Sequence, residues 1–107
     1  MATLLFNNIE QDVKFLNALN IDLVFKNLVN ENHDIFKQEN YNYIEINDNY
    51  NYRPDRVAYD VYKVDLYYPI ILAANNIGSI VEFTTDRLGH KIYYLKEEFL
   101  PKLKLNI

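Results

Sequence analysis

The stretch Tyr52-Arg-Pro-Asp-Arg-Val-Ala-Tyr-Asp-Val-Tyr-Lys-Val-Asp-Leu-Tyr-Tyr-Pro-Ile-Ile-Leu-Ala-Ala-Asn-Asn-Ile77, with Gly89-His-Lys-Ile-Tyr-Tyr-Leu95 downstream, decides the fold. Pro54 suits the first turn of a helix, where a missing N–H costs nothing, and Asp55 complements the positive helix N-terminus. Val57, Ala58, Val61 and Tyr62 then share one face. After Lys63-Val64, Asp65 is placed to cap a second helix over residues 66–75, and Pro69 falls within its first turn, where it is tolerated. Asn76 and Gly78 end that helix, and residues 80–83 read as a short extended piece. Leu88-Gly89 turns into a strand over residues 91–95, with Ile92 and Tyr94 facing opposite to Tyr93 and Leu95.

Upstream, residues 41–46 alternate, with Ile44 and Ile46 on one face and Tyr41 and Tyr43 on the other, the period-two pattern of a half-buried strand that Asn47-Asp-Asn breaks. The predicted order is therefore strand, helix, helix, strand. The tail after Pro101, Lys-Leu-Lys-Leu-Asn-Ile, is a loose arm or an extra edge strand.

All ten tyrosines lie at or beyond Tyr41, whereas the first forty residues take their aromatics as Phe6, Phe15, Phe25 and Phe36. This sets a boundary near Glu39-Asn40, between an N-terminal helical extension (1–40) and an α+β module (41–107). In the extension, Asn8 with Gln11 resembles a capping box, and Leu5, Ile9, Val13 and Leu16 recur at helical steps, predicting a helix over residues 9–19. Ile21, Val24, Phe25 and Leu28 continue the period toward Val29, although residues 21–25 also read as a short strand. Asn30-Glu-Asn-His-Asp34 is a turn-rich connection, and Phe36 is an anchor beyond it.

At 107 residues, half of them apolar, the chain holds one modest core. The net charge of −4 carries no basic stripe, the footprint that binding to a phosphate backbone requires, so nucleic acid is not the expected partner. Without cysteine there are no disulfides, thiolate nucleophiles or sulfur-ligated zinc. The N-terminus has no basic region before an apolar run, and residues 66–80, broken by Pro69, Asn75 and Asn76, are too short and polar to span a bilayer. A soluble protein without membrane contact is the expectation. Asparagine, about one residue in seven, forms no tract and is read as a genome-composition effect with little structural content.

The residues offer little for catalysis. His33 sits in a turn, and His90 has no second histidine or acidic cluster at ligand spacing, so neither a metal site nor a general base is indicated. Ser79 lacks a nucleophile-elbow pattern, and two glycines, Gly78 and Gly89, cannot build a phosphate loop. Asp60 with Asp65, and Glu97 with Glu98, are the nearest carboxylate pairs; the first reads as including a helix cap, the second as a solvated strand end. No cofactor and no catalytic residue are expected. The pairs Tyr67-Tyr68 and Tyr93-Tyr94 place one phenol inward and its neighbour outward. Such rings fill a core that lacks tryptophan, or contact a protein partner, or stack on a sugar.

Residues 50–95 resemble the baseplate wedge family of tailed bacteriophages that carries a LysM-like domain. The similarity rests on the Pro54-Asp55 opener, the aliphatic-aromatic first helix, the aromatic pair Tyr67-Tyr68 leading through Ile70-Ile71-Leu72 to Asn75-Asn76-Ile77, and Gly89 before the last strand. Departures are Lys63-Val64-Asp65 where the family has Gly-Asp, tyrosine where the pair is commonly tryptophan, and Pro69 at an aliphatic position. The resemblance implies a LysM-like β-α-α-β module in a non-enzymatic virion component. Its partners would be other tail and baseplate proteins, in multiple copies of a symmetric assembly, with Arg56, Tyr67, Tyr68 and Tyr93 as contact residues. A LysM-type module that binds N-acetylglucosamine polymers of a cell wall is the alternative, and an adaptor docking through residues 1–40 is a third.

Overall fold

In the computed structural model, which describes residues 3–4 and 21–105, the chain runs β1 (Thr3–Leu4), α1 (Ile21–Glu31), β2 (Tyr41–Glu45), α2 (Pro54–Tyr62), α3 (Tyr68–Ala74), α4 (Thr85–Leu88), β3 (Lys91–Leu95) and β4 (Lys104–Leu105), with short 3-10 turns between them. The architecture is α+β. Two antiparallel ribbons, β1–β4 and β2–β3, are joined by helices: α2 packs on α3, α3 on β3 and α1, and α1 on β4. The helix expected over residues 9–19 lies outside the described residues. For residues 21–25 the helical reading holds, and the tail is an edge strand paired with β1, Leu4 opposite Lys104.

The module from β2 to β3 keeps the strand, helix, helix, strand order that the periodicity dictates. Pro54 occupies the first turn of α2, and Val57, Ala58 and Tyr62 are buried along one face. Lys63 then takes the left-handed conformation at φ 66°, its N–H donating to the Tyr59 C=O at 2.9 Å, so a tight turn forms without glycine. At the end of α3, Asn76 does the same at φ 55°. The N–H groups of Asn76 and Ile77 donate back to the C=O groups of Ala73 and Leu72, closing a Schellman motif that buries Ile77.

Two sequence readings are corrected. Asp65 makes no cap: Val64 occupies the N-cap position without a side-chain bond, and Asp65 begins a 3-10 turn, Asp65–Tyr67, that delays α3 to Tyr68. Residues 80–82 form a 3-10 turn, not an extended piece. The short helix α4, capped by Thr84 Oγ1 on the Arg87 N–H at 3.2 Å, has too few residues to show a period. Tyr41 shares the face of Tyr43, as its position in the alternation dictates: both rings lie 6.3 Å from that of Tyr93, and Tyr41 also reaches the core beside its cross-strand partner Leu95.

One core unites these elements. Leu28 of α1, Val57 of α2, Ile70 and Ile71 of α3, Ile92 and Leu95 of β3, and Leu103 before β4 are fully buried together with Phe83. Each such side chain contributes roughly 1.5–3 kcal/mol of transfer free energy. Tyr62 stands at its centre. Its ring makes edge contacts with Tyr67 and Tyr94 at 6.3 and 6.0 Å, and its hydroxyl donates to the Leu95 C=O at 2.7 Å.

The asparagines also need a correction: several carry tertiary contacts. Asn32, 1% exposed, donates from Nδ2 to the C=O groups of Leu28 and Lys104 and accepts the Lys104 N–H at Oδ1. The Asn40 amide holds the Ile35 C=O at 2.8 Å, and Asn51 Oδ1 accepts the Thr85 N–H at 2.8 Å. A carboxamide offers both a donor and an acceptor on a short stem, so it can replace a missing main-chain partner.

Candidate functional site

The loop before α2 and the loop before α4 meet where the Tyr52 N–H donates to the Phe83 C=O at 2.7 Å. Holding this contact places Tyr52 in the left-handed region at φ 59°, a conformation that a bulky side chain adopts at a cost of roughly 1–2 kcal/mol. Its ring is 56% exposed, so core packing does not repay that strain. Together with Ile80, another exposed apolar side chain, it borders a depression of about 300 Å³ also lined by Arg53, Pro54, Asp55, Asp65, Leu66 and Tyr68.

A second depression of about 320 Å³ shares Arg53, Asp55 and Asp65 with the first and extends over Arg56, Tyr59 and Asp60. Tyr59 is 57% exposed at its rim, while Val81 stands exposed beyond Ile80. Arg53 Nε donates to Asp55 Oδ1 at 3.0 Å, an exposed ion pair. Burial raises the Asp55 pKa, but the guanidinium of Arg53 outweighs it and holds the carboxyl below its usual range. The Tyr50 hydroxyl donates to Asp60 Oδ2 at 2.6 Å, and this bond pushes the phenol's pKa upward. The floor is thus polar and partly paired, and the walls carry exposed rings. Such a surface holds a partner by apolar anchors and orients it by charge-assisted hydrogen bonds.

Of the four residues singled out in the sequence, Arg56 and Tyr68 lie in these adjoining depressions. Tyr93 does not: it lines a separate hollow with Gln38, Asn75 and Arg87. Tyr67, at 2% exposure, is a core residue and cannot touch a partner; it is the inward member of its pair, which leaves Tyr68 as the half-exposed one. Tyr94 is the inward member of the second pair, its ring against buried Tyr62, while Tyr93 stands on the opposite face beside Tyr41 and Tyr43; both are half-buried. Sequence reasoning missed Tyr52, Tyr59 and Ile80. Tyr59 was accessible to it, since two residues along the helix it falls on the side away from Val57; the left-handed backbone of Tyr52 leaves no sequence signal.

His90 is exposed and shares a hollow with Tyr43, Glu45, Ile46 and Lys91, and His33 is exposed in a turn. Among the described residues, no three metal-ligating side chains gather, and no helix is long and apolar enough to cross a membrane. In comparisons with known proteins, no family model, no curated protein and no solved structure matches the chain.

Proposed function

We propose that the chain is a non-enzymatic assembly module that works through protein–protein contacts, as a wedge component of a tailed-bacteriophage baseplate with a LysM-like fold. One observation carries the assembly reading: Tyr52, Tyr59, Ile80 and Val81 are exposed around a charged floor, and one of them is held in a strained backbone conformation. Large apolar and aromatic side chains at the surface of a small domain are the anchors from which interfaces draw most of their binding energy. The phage assignment draws on the resemblance of residues 50–95, with which the order β2, α2, α3, β3 is consistent. Mass spectrometry of purified tailed particles tests it. The chain should be present in fixed ratio to the other tail proteins, and its absence from intact particles would rule the reading out.

A carbohydrate-binding LysM-type module is the second reading. It is favoured by the first depression alone, where an exposed phenol stands beside Arg53, Asp55 and Asp65, a combination that suits a sugar ring and its hydroxyls. Titration with chito-oligosaccharides separates the two, because saturable shifts at Tyr52 and Tyr68 would favour the sugar.

A further inference from the structure

We propose that β2 is a self-pairing edge: two copies of this chain join antiparallel about Tyr43 and merge their β2–β3 ribbons into one sheet. This surface is distinct from the one around Tyr52, so the proposal stands or falls separately from the assembly reading.

The parity of the ladder is the first ground. The Ile46 N–H donates to the His90 C=O at 3.2 Å and the Lys96 N–H to the Asn40 C=O at 3.0 Å, and the register between them is unbroken. Residues 42 and 44 therefore spend their main-chain groups inside the ribbon, whereas Tyr41, Tyr43 and Glu45 aim theirs away from β3. On the far edge the same parity exposes the main-chain groups of Tyr93, and there Asn75 takes both of them. Among the described residues the β2 edge has no such seal. The Tyr41 N–H is held by the Gln38 C=O, and the Tyr43 N–H leans on the exposed Asn42 Oδ1 at 3.1 Å. No described residue bonds to the Tyr41 and Tyr43 carbonyls or to either main-chain group of Glu45.

Burial points the same way. Ile44 faces the core yet remains half-exposed, while its cross-strand partner Ile92 is fully buried, so the covering of the inner face stops at β3. Tyr43 is 48% exposed on the outer face. Of the devices by which exposed edges resist pairing, the sequence Tyr-Asn-Tyr-Ile-Glu has only its shortness and one charge, Glu45 at its end, and lacks proline, lysine and a bulge.

The occupant is a second copy because the edge complements itself. A two-fold axis through Tyr43 sets Tyr43 opposite Tyr43, Glu45 opposite Tyr41 and Asn42 opposite Ile44. Like charges are nowhere directly opposed, and each Glu45 carboxylate meets a Tyr41 phenol. Since the Tyr43 groups point outward, the central pair is a hydrogen-bonded one whose members exchange both amides, and each Glu45 N–H reaches a Tyr41 carbonyl.

The contact is small, so association belongs at the weak end of the range. Sedimentation velocity over an about hundredfold range of concentration should show a monomer–dimer equilibrium, weakened at least ~tenfold by Tyr43→Lys, which brings two ammonium groups together at the axis. Tyr43→Pro should abolish it without unfolding the chain, because the lost N–H serves no ladder bond. Residue-resolved amide exchange supplies the signature. The Asn42 and Ile44 amides should be protected at every concentration, and those of Tyr43 and Glu45 only where the dimer forms. A chain that stays monomeric throughout, a dimer that leaves these two amides unprotected, or strand addition by a different protein with no self-association would each overturn the proposal.

Discussion

Asn75 and Tyr93 face each other as two strands would: the carboxamide Nδ2 donates to the Tyr93 C=O at 2.8 Å while Oδ1 accepts the Tyr93 N–H at 2.9 Å. The same Nδ2 also donates to the Ile71 C=O one turn back, which ties the end of α3 to the edge of β3. Asn32 repeats the arrangement between the end of α1 and Lys104 of β4. Each ribbon thus has an edge closed by a side chain that follows a helix and imitates a strand residue.

Replacing either asparagine by alanine strands a main-chain donor and acceptor. Asn75→Ala should lower unfolding stability by ~2 kcal/mol and Asn32→Ala, the more deeply buried, by ~3 kcal/mol. Urea denaturation measures both. Losses under ~0.5 kcal/mol would mean that water replaces the carboxamides without penalty.

Alkaline stability should depend on Tyr62. Burial pushes its phenol well above the ordinary value of 10.0, so the neutral form belongs to the folded state. The sign follows: its contribution is complete below pH 10 and is lost as pH rises beyond it. Tyr50, through Asp60, and Tyr41, through burial, add shallower losses in the same window. Tyr62→Phe should cost ~1 kcal/mol at neutral pH, where the bond to the Leu95 C=O is lost, and should flatten the fall above pH 10. An unchanged slope in the variant would contradict this assignment.

Lys63 closes α2 in the left-handed region, where glycine has no Cβ penalty. Lys63→Gly should stabilise the fold by ~0.5–1 kcal/mol, and Lys63→Val should destabilise it by more than ~1 kcal/mol. Thermal unfolding of the pair gives opposite shifts if the turn is as described.

Tyr52 has the same backbone conformation with a different expected outcome. Tyr52→Gly keeps the N–H bond to the Phe83 C=O and relieves strain, so stability should rise, while under the proposed assembly role binding to the partner surface should fall. A drop in stability would make the Tyr52 ring a structural anchor and would remove it from the proposed interface.

Helix α2 and the β2–β3 ribbon were legible because their signals are local: a proline at the first turn, a four-residue apolar face, two alternating strands. The onset of α3 was not. An aspartate before an apolar run reads as a cap, but here the chain inserts a 3-10 turn that buries Tyr67, its ring edge-on to Tyr62. The candidate site was half legible. Arg56 and Tyr68 could be picked out as surface residues of helices, whereas Tyr67 and Tyr93 were assigned by their place in a pair, and pairs do not say which ring the core takes.

The sequence by itself determined an α+β module with strand, helix, helix, strand order, because hydrophobic period and helix-end chemistry act within a few residues. The tertiary structure alone decided that asparagines seal strand edges, that Tyr52 is strained and exposed, and that Tyr43 and Glu45 of β2 aim their main-chain groups away from β3. Those outcomes arise from contacts between residues far apart in the chain, such as Asn32 with Lys104, and no local pattern encodes them.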